Sequence, residues 1–157
     1  MCGVNALWSH EELLAAVGGT ASGTFDAKGV AFDSREIGQG DLFFAMKGEE
    51  TDGHLFADKA FGNGASGAIV SEPIAHPHIL VDDTMDALNA LGSAARARVE
   101  GKIIGVTGSA GKTGTKEALY AALDRSSRGH APRSVKSYNN HVGVHVSLSR
   151  MLRDTQN

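Results

Sequence analysis

The hydrophobic positions of the chain fall into short runs that are separated by turn-forming residues. Apolar residues fill each run without strict alternation, as in strands that are buried on both faces of a parallel sheet. The runs that predict strands in the first hundred residues are 29–32, 42–46, 67–70 and 78–81. Segments with helical spacing lie between several of these runs, so the pattern favours an α/β fold with a parallel sheet.

Capping residues and helical spacing predict the helices. Ser9 and Glu12 form a capping box at the start of a helix that ends at the glycines of positions 18 and 19. Residues 55–62 predict a second helix. A long third helix is predicted over 84–99, with Asp83 as its N-cap, because apolar side chains recur there every three or four positions.

A second strand–helix unit is predicted after Gly101. A buried run leads into a glycine-rich loop, and a helix, a strand and a short helix follow. The predicted segments are 102–106, 112–123, 133–136 and 146–152. The domain boundary is therefore expected near residue 100, with one unit at 1–100 and another at 101–157.

Composition places the chain in the globular class. Hydrophobic residues make up 41% and charged residues 21% of the sequence, and the formal net charge is −3. Without a basic stripe, nucleic acid is not expected as a partner. No apolar run has membrane-spanning length, and the single cysteine, Cys2, cannot form an internal disulfide. A cytoplasmic protein is expected.

The stretch GVTGSAGKTGTKEAL, residues 105–119, has the features of a phosphate-binding loop. Backbone amides of a glycine-rich turn at a helix N-terminus can surround phosphate oxygens. Lys112 would place its ammonium against the outer phosphates, and Thr113 would offer a hydroxyl to Mg²⁺. The strict motif requires glycine where this chain has Val106, so the match fails by one position. A glycine-rich turn that binds no ligand is the alternative.

The offset pattern T-G-S-x-G-K-T resembles the ATP-binding loop of the Mur ligase superfamily. Members of this family join amino acids to a carboxylate through an acyl phosphate. The segments 33–35, 40–45 and 52–54 resemble the family's uridine-diphosphate-sugar domain. Residues 115–117 and 138–144 resemble the member that joins D-alanyl-D-alanine to UDP-N-acetylmuramoyl-tripeptide.

The resemblance implies two sets of binding residues. Those expected to hold the UDP-N-acetylmuramoyl-peptide are Ser34, Arg35, Asp52, Gly53, His54, Asn139 and Asn140. Those expected to hold ATP are Gly108, Ser109, Ala110, Gly111, Lys112, Thr113 and Gly114. Thr113 would also bind Mg²⁺, and Lys112 would be catalytic by clamping the transferred phosphoryl group.

Each assignment in the substrate set has a plainer alternative. Asp33, Ser34 and Arg35 could form a turn with an ordinary surface ion pair. His54 could be a structural loop histidine. Asn139 and Asn140 could simply be turn formers that tolerate positive φ.

The expected fold class is thus α/β, with a small substrate-binding domain followed by the first part of a parallel-sheet P-loop ATPase domain. The family has three domains, and this sequence matches only the N-terminal part. We therefore expect the isolated chain to lack ligase activity.

A stand-alone nucleotide- or UDP-sugar-binding module without catalysis is the alternative function. A small P-loop phosphotransferase ranks last, because no acidic strand follows the loop to hold Mg²⁺. The incomplete second unit is expected either to form a homo-oligomer or to pack back onto the first unit.

Overall fold

The computed structural model describes residues 6–100, 104, 110–126 and 141–151. The helices are α1 (His10–Val17), α2 (Ala57–Gly62), α3 (Thr84–Arg98), α4 (Lys112–Ser126) and α5 (His141–Ser149). The strands are β1 (Thr20–Ser22), β2 (Gly29–Ala31), β3 (Asp41–Phe44), β4 (Gly67–Val70) and β5 (His78–Leu80). Two short 3₁₀ turns, Ser34–Glu36 and Gly53–Phe56, follow β2 and β3 respectively.

The five strands form one sheet in the order β1-β5-β4-β3-β2. The neighbours among β2 to β5 pair in parallel, which confirms the four strands and the parallel sheet expected from the apolar runs. β1 pairs antiparallel with β5 and was not predicted. Its three residues, Thr20–Ser22, are polar or small and partly exposed, so no apolar run marks this edge strand.

Side chains from alternate strand positions build a core on each face of the sheet. One core contains Val30, Leu42 and Phe44 and packs against α1 and α3. The other contains Phe43 and Val70 and packs against α2. Helices therefore cover both faces, which explains why the strands are apolar throughout rather than alternating.

Two of the predicted helix starts are confirmed at atomic detail, whereas the helix predicted over 55–62 begins at Ala57. The Glu12 amide donates to Ser9 Oγ over 3.3 Å, and the Ser9 amide donates to Glu12 Oε2 over 2.9 Å. Asp83 Oδ1 accepts from the amides of Met85 and Asp86 at the start of α3. Each cap satisfies backbone donors that have no partner within the helix.

α5 packs lengthwise against α3. It begins at His141, five residues before the predicted start at 146, so that prediction was wrong about the helix's N-terminal end. Gly92 of α3 makes the close packing possible, because a Cβ there would lie 2.8 Å from His145 Nδ1. Of the two arrangements expected for the second unit, packing onto the first is observed for this helix.

The helix predicted over 112–123 is confirmed as α4, which continues to Ser126. The predicted strands at 102–106 and 133–136 lie outside the described residues, apart from Ile104. The domain boundary near residue 100 therefore remains a prediction. No helix within the described ranges is both long and apolar enough to cross a bilayer.

Candidate functional site

Three loops meet at the carboxyl edge of the parallel strands. They follow β2, β3 and β4, and because these strands are neighbours the loops are neighbours too. Ligands of open α/β sheets bind in this position, outside the carboxyl ends of the strands. The predicted substrate residues that the structure describes, 34–35 and 52–54, all lie in two of these loops.

The loop after β2 is shaped by Asp33. Its Oδ1 accepts from the Arg35 amide over 2.9 Å and so caps the 3₁₀ turn. The same carboxylate accepts from Arg35 Nε at 3.0 Å and from Arg35 Nη2 at 2.6 Å. This ion pair raises the pKa of the Arg35 guanidinium above its ordinary value. The surface ion pair considered as the plainer alternative is thus present, and it holds the guanidinium in one orientation.

Arg35 remains open to solvent despite this pairing, since its side chain is 77% exposed. Ser34 is buried beside it, and the Ser34 carbonyl oxygen accepts from Asn63 Nδ2 over 2.8 Å. The turn is therefore anchored to the end of α2, while the guanidinium projects into solvent at the sheet edge. An arginine placed in this way can bind phosphate oxygens through its outward-facing N–H groups.

The loop after β3 folds back on itself as a small hairpin. Lys47 and Asp52 form an antiparallel bridge, and the Gly48 amide donates to the Thr51 carbonyl over 2.9 Å. Gly53 then passes so close to the end of β3 that a Cβ would lie 2.7 Å from both the amide nitrogen and the carbonyl oxygen of Met46. Only glycine fits there, which gives Gly53 a structural reason to be in the motif.

Asp52 and His54 fix the base of this hairpin. Asp52 Oδ1 accepts from the His54 amide over 2.9 Å and lies 2.5 Å from His54 Nδ1. On the other side of the ring, Nε2 accepts from the amides of Ser71 at 3.0 Å and Glu72 at 3.3 Å. Backbone amides can only donate, so Nδ1 carries the ring proton and the imidazole is neutral. These hydrogen bonds lower the pKa of Asp52, chiefly through the His54 amide.

His54 therefore ties the loop after β3 to the loop after β4. Its side chain is 8% exposed, and both ring nitrogens are used within the protein. Asp52, His54 and Ser71 resemble a catalytic triad of acid, base and nucleophile, with Ser71 Oγ 3.4 Å from Nε2. They are not arranged for nucleophilic catalysis, because the Nε2 lone pair accepts a hydrogen bond from the Ser71 amide and so cannot act as the base. Positioning of the two loops is the role that the geometry supports.

Lys47 is a candidate that sequence reasoning missed. It lies in the loop after β3, and its Nζ is 3.4 Å from Glu72 Oε1 in the loop after β4. Both side chains are mostly exposed, at 63% and 60%. A signal existed in the sequence, since Lys47 follows the predicted strand 42–46 directly and must lie at its carboxyl end.

The described part of the phosphate loop lies at the start of α4. Lys112 is the first residue of the helix, and Gly111 has a left-handed φ of 73° with open space on its side-chain side. Ala110, Thr113 and Gly114 are exposed to solvent. This places Lys112 and Thr113 at a helix N-terminus, where a phosphate group is favoured.

Four predicted site residues lie outside the described residues: Gly108, Ser109, Asn139 and Asn140. Their proposed roles stay predictions. Within the ranges that the structure does describe, His, Cys, Asp and Glu side chains form no group of three or more that could hold a metal ion.

Comparison with models of known protein families identifies the family of this chain. The profile described as "Mur ligase family, catalytic domain" matches residues 26–125, and "Mur ligase middle domain" matches residues 106–157. The chain belongs to the Mur ligase family. The matched residues include strands β2 to β5, the three edge loops and the glycine-rich loop, so the resemblance seen in the sequence is confirmed.

Individual relatives narrow the similarity to one branch of the Mur ligase family. The UDP-N-acetylmuramoyl-tripeptide–D-alanyl-D-alanine ligase of Bacillus subtilis is 38% identical over 133 residues, covering 82% of this chain and 29% of that protein. A crystal structure of MurF from Acinetobacter baumannii superposes with a TM-score of 0.79 at 34% identity, over 98% of this chain and 35% of that one.

A third similar protein, also a solved structure, contains a bound nucleotide. The crystal structure of MurF ligase from Thermotoga maritima was solved in complex with ADP, and it superposes with a TM-score of 0.58 at 32% identity. This match covers 78% of our chain and 29% of that chain. The chain thus spans about a third of the length of the Mur ligases that it matches.

Proposed function

We propose that this Mur ligase chain is the N-terminal portion of an ATP-dependent ligase that joins D-alanyl-D-alanine to UDP-N-acetylmuramoyl-tripeptide in peptidoglycan synthesis. Its part in that reaction is to hold the uridine-diphosphate end of the substrate at the carboxyl edge of the sheet. ATP and nucleotide-linked sugars are cytoplasmic metabolites, so we place the protein in the cytoplasm.

One observation carries the proposal: the loops after β2 and β3 present Arg35 and the Asp52–His54 turn at the same sheet edge. The Asp33 carboxylate fixes the Arg35 guanidinium, so little side-chain freedom is lost when it binds an anion. Gly53 and His54 hold the neighbouring loop rigidly against β3 and β4. A preformed rim with an exposed, oriented cation suits a diphosphate.

The start of α4 supports the nucleotide part of the proposal. Gly111, Lys112 and Thr113 lie at the helix N-terminus, where backbone amides and the lysine ammonium would surround the phosphates of ATP and the hydroxyl would contact Mg²⁺. When bound, ATP supplies the phosphoryl group that activates the substrate carboxylate. The contribution of this chain is to orient the phosphates and to balance their charge.

Titration of the 157-residue chain with UDP-N-acetylmuramoyl-tripeptide tests the substrate assignment. The matched ligand is the same muramoyl-tripeptide without its nucleotide. We expect calorimetry to detect the first and not the second, because the proposed contacts lie with the diphosphate. Equal binding of both compounds, or binding of neither, would contradict the assignment.

The nucleotide assignment has its own test. Mg·ATP is titrated into the wild-type chain and into Lys112→Ala, with Lys116→Ala as a control on the same helix. Binding that is lost only in Lys112→Ala would support a formed phosphate site. Absence of binding in the wild type would favour the UDP-sugar-binding form of the alternative function, a stand-alone module without catalysis.

A further inference from the structure

A closed ring of contacts joins four polar residues at the sheet edge. Lys47 and Asp52 pair through their backbones, Asp52 contacts His54 at 2.5 Å, and His54 Nε2 accepts from the Glu72 amide at 3.3 Å. The Glu72 carboxylate closes the ring on the Lys47 ammonium at 3.4 Å. The positions of Lys47 and Glu72 are therefore set by the same histidine turn that holds the two loops together.

From this arrangement we propose that Lys47 is a second phosphate-binding residue beside Arg35, and that Glu72 holds its ammonium in place until a nucleoside diphosphate displaces the carboxylate. The inference rests on the proposed function, since it names a further contact of the same substrate. It adds a binding residue and a competing internal anion to the site.

Strand register places the two cations at the same edge of the sheet. Ala31 of β2 pairs with Phe43 of β3, and each cation lies four residues after its paired residue, in the loop that follows its strand. Arg35 and Lys47 are the lysine and arginine residues of the three edge loops, which span 32–38, 45–54 and 71–76. A diphosphate carries more than one negative charge, so a single guanidinium leaves part of it unbalanced.

The exposed Lys47–Glu72 ion pair can be replaced by an ion pair between Lys47 and a phosphate. Both side chains are mostly exposed, so water competes for each charge and the ion pair contributes little to folding. Arg35 shows the contrasting case, because Asp33 binds it through two guanidinium nitrogens at 3.0 and 2.6 Å. Arg35 is thus locked in orientation, whereas the Lys47 ammonium can leave one carboxylate oxygen for a phosphate oxygen.

Neighbouring charges provide a control for this idea. Glu49 and Glu50 lie at the exposed tip of the same hairpin, beyond the turn that Gly48 and Thr51 close. Glu50 makes no ion pair within the described residues, whereas Glu72 contacts the Lys47 ammonium directly. Glu50→Gln and Glu72→Gln change the net charge equally. A difference in UDP affinity between them therefore reports the Lys47–Glu72 contact and not the overall charge of the loops.

The experiment is an NMR titration of the full 157-residue chain with UDP and, separately, with uridine. Lys47→Met is expected to weaken UDP binding about tenfold, as the loss of one charge-assisted phosphate contact. Lys28→Met, at the amino end of β2, is the matched control and should leave UDP binding unchanged. Glu72→Gln is expected to tighten UDP binding about threefold, and Glu50→Gln to change it less. Uridine binding should be the same in all of these proteins.

The outcomes separate the two levels of the account. A wild-type chain that does not bind UDP overturns the proposed function itself. Wild-type binding of UDP that Lys47→Met retains in full overturns only the role of Lys47. An equal gain in Glu50→Gln and Glu72→Gln overturns the displacement of Glu72. Equal loss of uridine and UDP binding in Lys47→Met would show a distorted loop and would also overturn the phosphate contact.

Discussion

The guanidinium of Arg98 lies over the indole ring of Trp8, with its central carbon 3.7 Å from the ring centroid. Arg98 also donates to the Leu7 carbonyl at 2.9 Å and to the Met151 carbonyl at 3.1 Å. The indole Nε1 in turn donates to the Ser149 carbonyl over 2.8 Å. The pair therefore joins three distant parts of the chain: the N-terminal segment, the end of α3 and the end of α5.

Replacing Arg98 is expected to loosen this junction. Arg98→Ala removes a cation–π contact and two hydrogen bonds to carbonyl groups, so the free energy of unfolding should fall by about 2–3 kcal/mol. Arg98→Lys keeps the charge but cannot make all these contacts together. Its free energy of unfolding should fall by more than half of the decrease expected for Arg98→Ala. Urea denaturation measures both variants.

Arg96→Ala is the matched control for Arg98, because its side chain is exposed and donates only to the nearby Val99 carbonyl at 3.0 Å. It should cost less than about 1 kcal/mol. A similar loss in Arg96→Ala and Arg98→Ala would contradict the structural role given to the Arg98–Trp8 pair.

Gly92 tests the packing of α5 against α3. Gly92→Ala adds a Cβ that would meet His145 Nδ1 at 2.8 Å, so we expect a loss of about 1–3 kcal/mol of unfolding free energy from overpacking. The double variant Gly92→Ala with His145→Ala should recover part of this loss, because the imidazole is gone.

The control for Gly92 is Gly62→Ala in α2, where an added Cβ meets no atom within 4 Å. It should be neutral or stabilising by up to about 1 kcal/mol, as expected for alanine in a helix. Thermal denaturation at one protein concentration compares these three variants with the wild type. Equal effects at Gly92 and Gly62 would show that α5 does not rest on α3 in solution.

The lowered pKa of Asp52 predicts how the stability of the folded chain depends on pH. Its pKa is lower in the folded chain than its ordinary value of 3.8, because the His54 amide and ring bond to the ionised carboxylate. The stabilising contribution is therefore complete above the unfolded pKa and is lost as the pH falls from about 4 through the folded pKa. Asp52→Asn cannot titrate, so its stability should fall less steeply over this acidic range.

Unfolding free energies in urea, measured between about pH 6 and pH 2.5, test this dependence. Asp82→Asn removes an exposed carboxylate two residues after the end of β5 and should follow the wild-type curve. Parallel curves for the wild type and Asp52→Asn would show that the Asp52–His54 contact does not stabilise the folded chain.

Local sequence signals predicted much of the fold. The capping box of Ser9 and Glu12 and the cap at Asp83 act within a few residues, so they can be recognised without tertiary structure. The four apolar strands were equally clear because both of their faces are buried. β1 was missed because an edge strand needs no apolar run, and its pairing partner, β5, lies far along the chain.

The candidate site was predictable only in part. The turns at Asp33 and Asp52 each begin with an aspartate that caps the amide two residues on, which is a local signal. The contact of His54 with the loop after β4 spans 17 positions and depends on strand order, so no local pattern indicates it. The same holds for the pairing of Lys47 with Glu72.

The central claim is that the carboxyl edge of the sheet binds the uridine-diphosphate end of the substrate. The most direct test maps amide chemical shifts of the 157-residue chain during a UDP titration. We expect the largest changes at 33–35, at 47–54 and at 71–72, and we expect Arg35→Ala to weaken the binding about tenfold or more. Shift changes confined to the α3–α5 face, or UDP binding that Arg35→Ala leaves unchanged, would contradict the account.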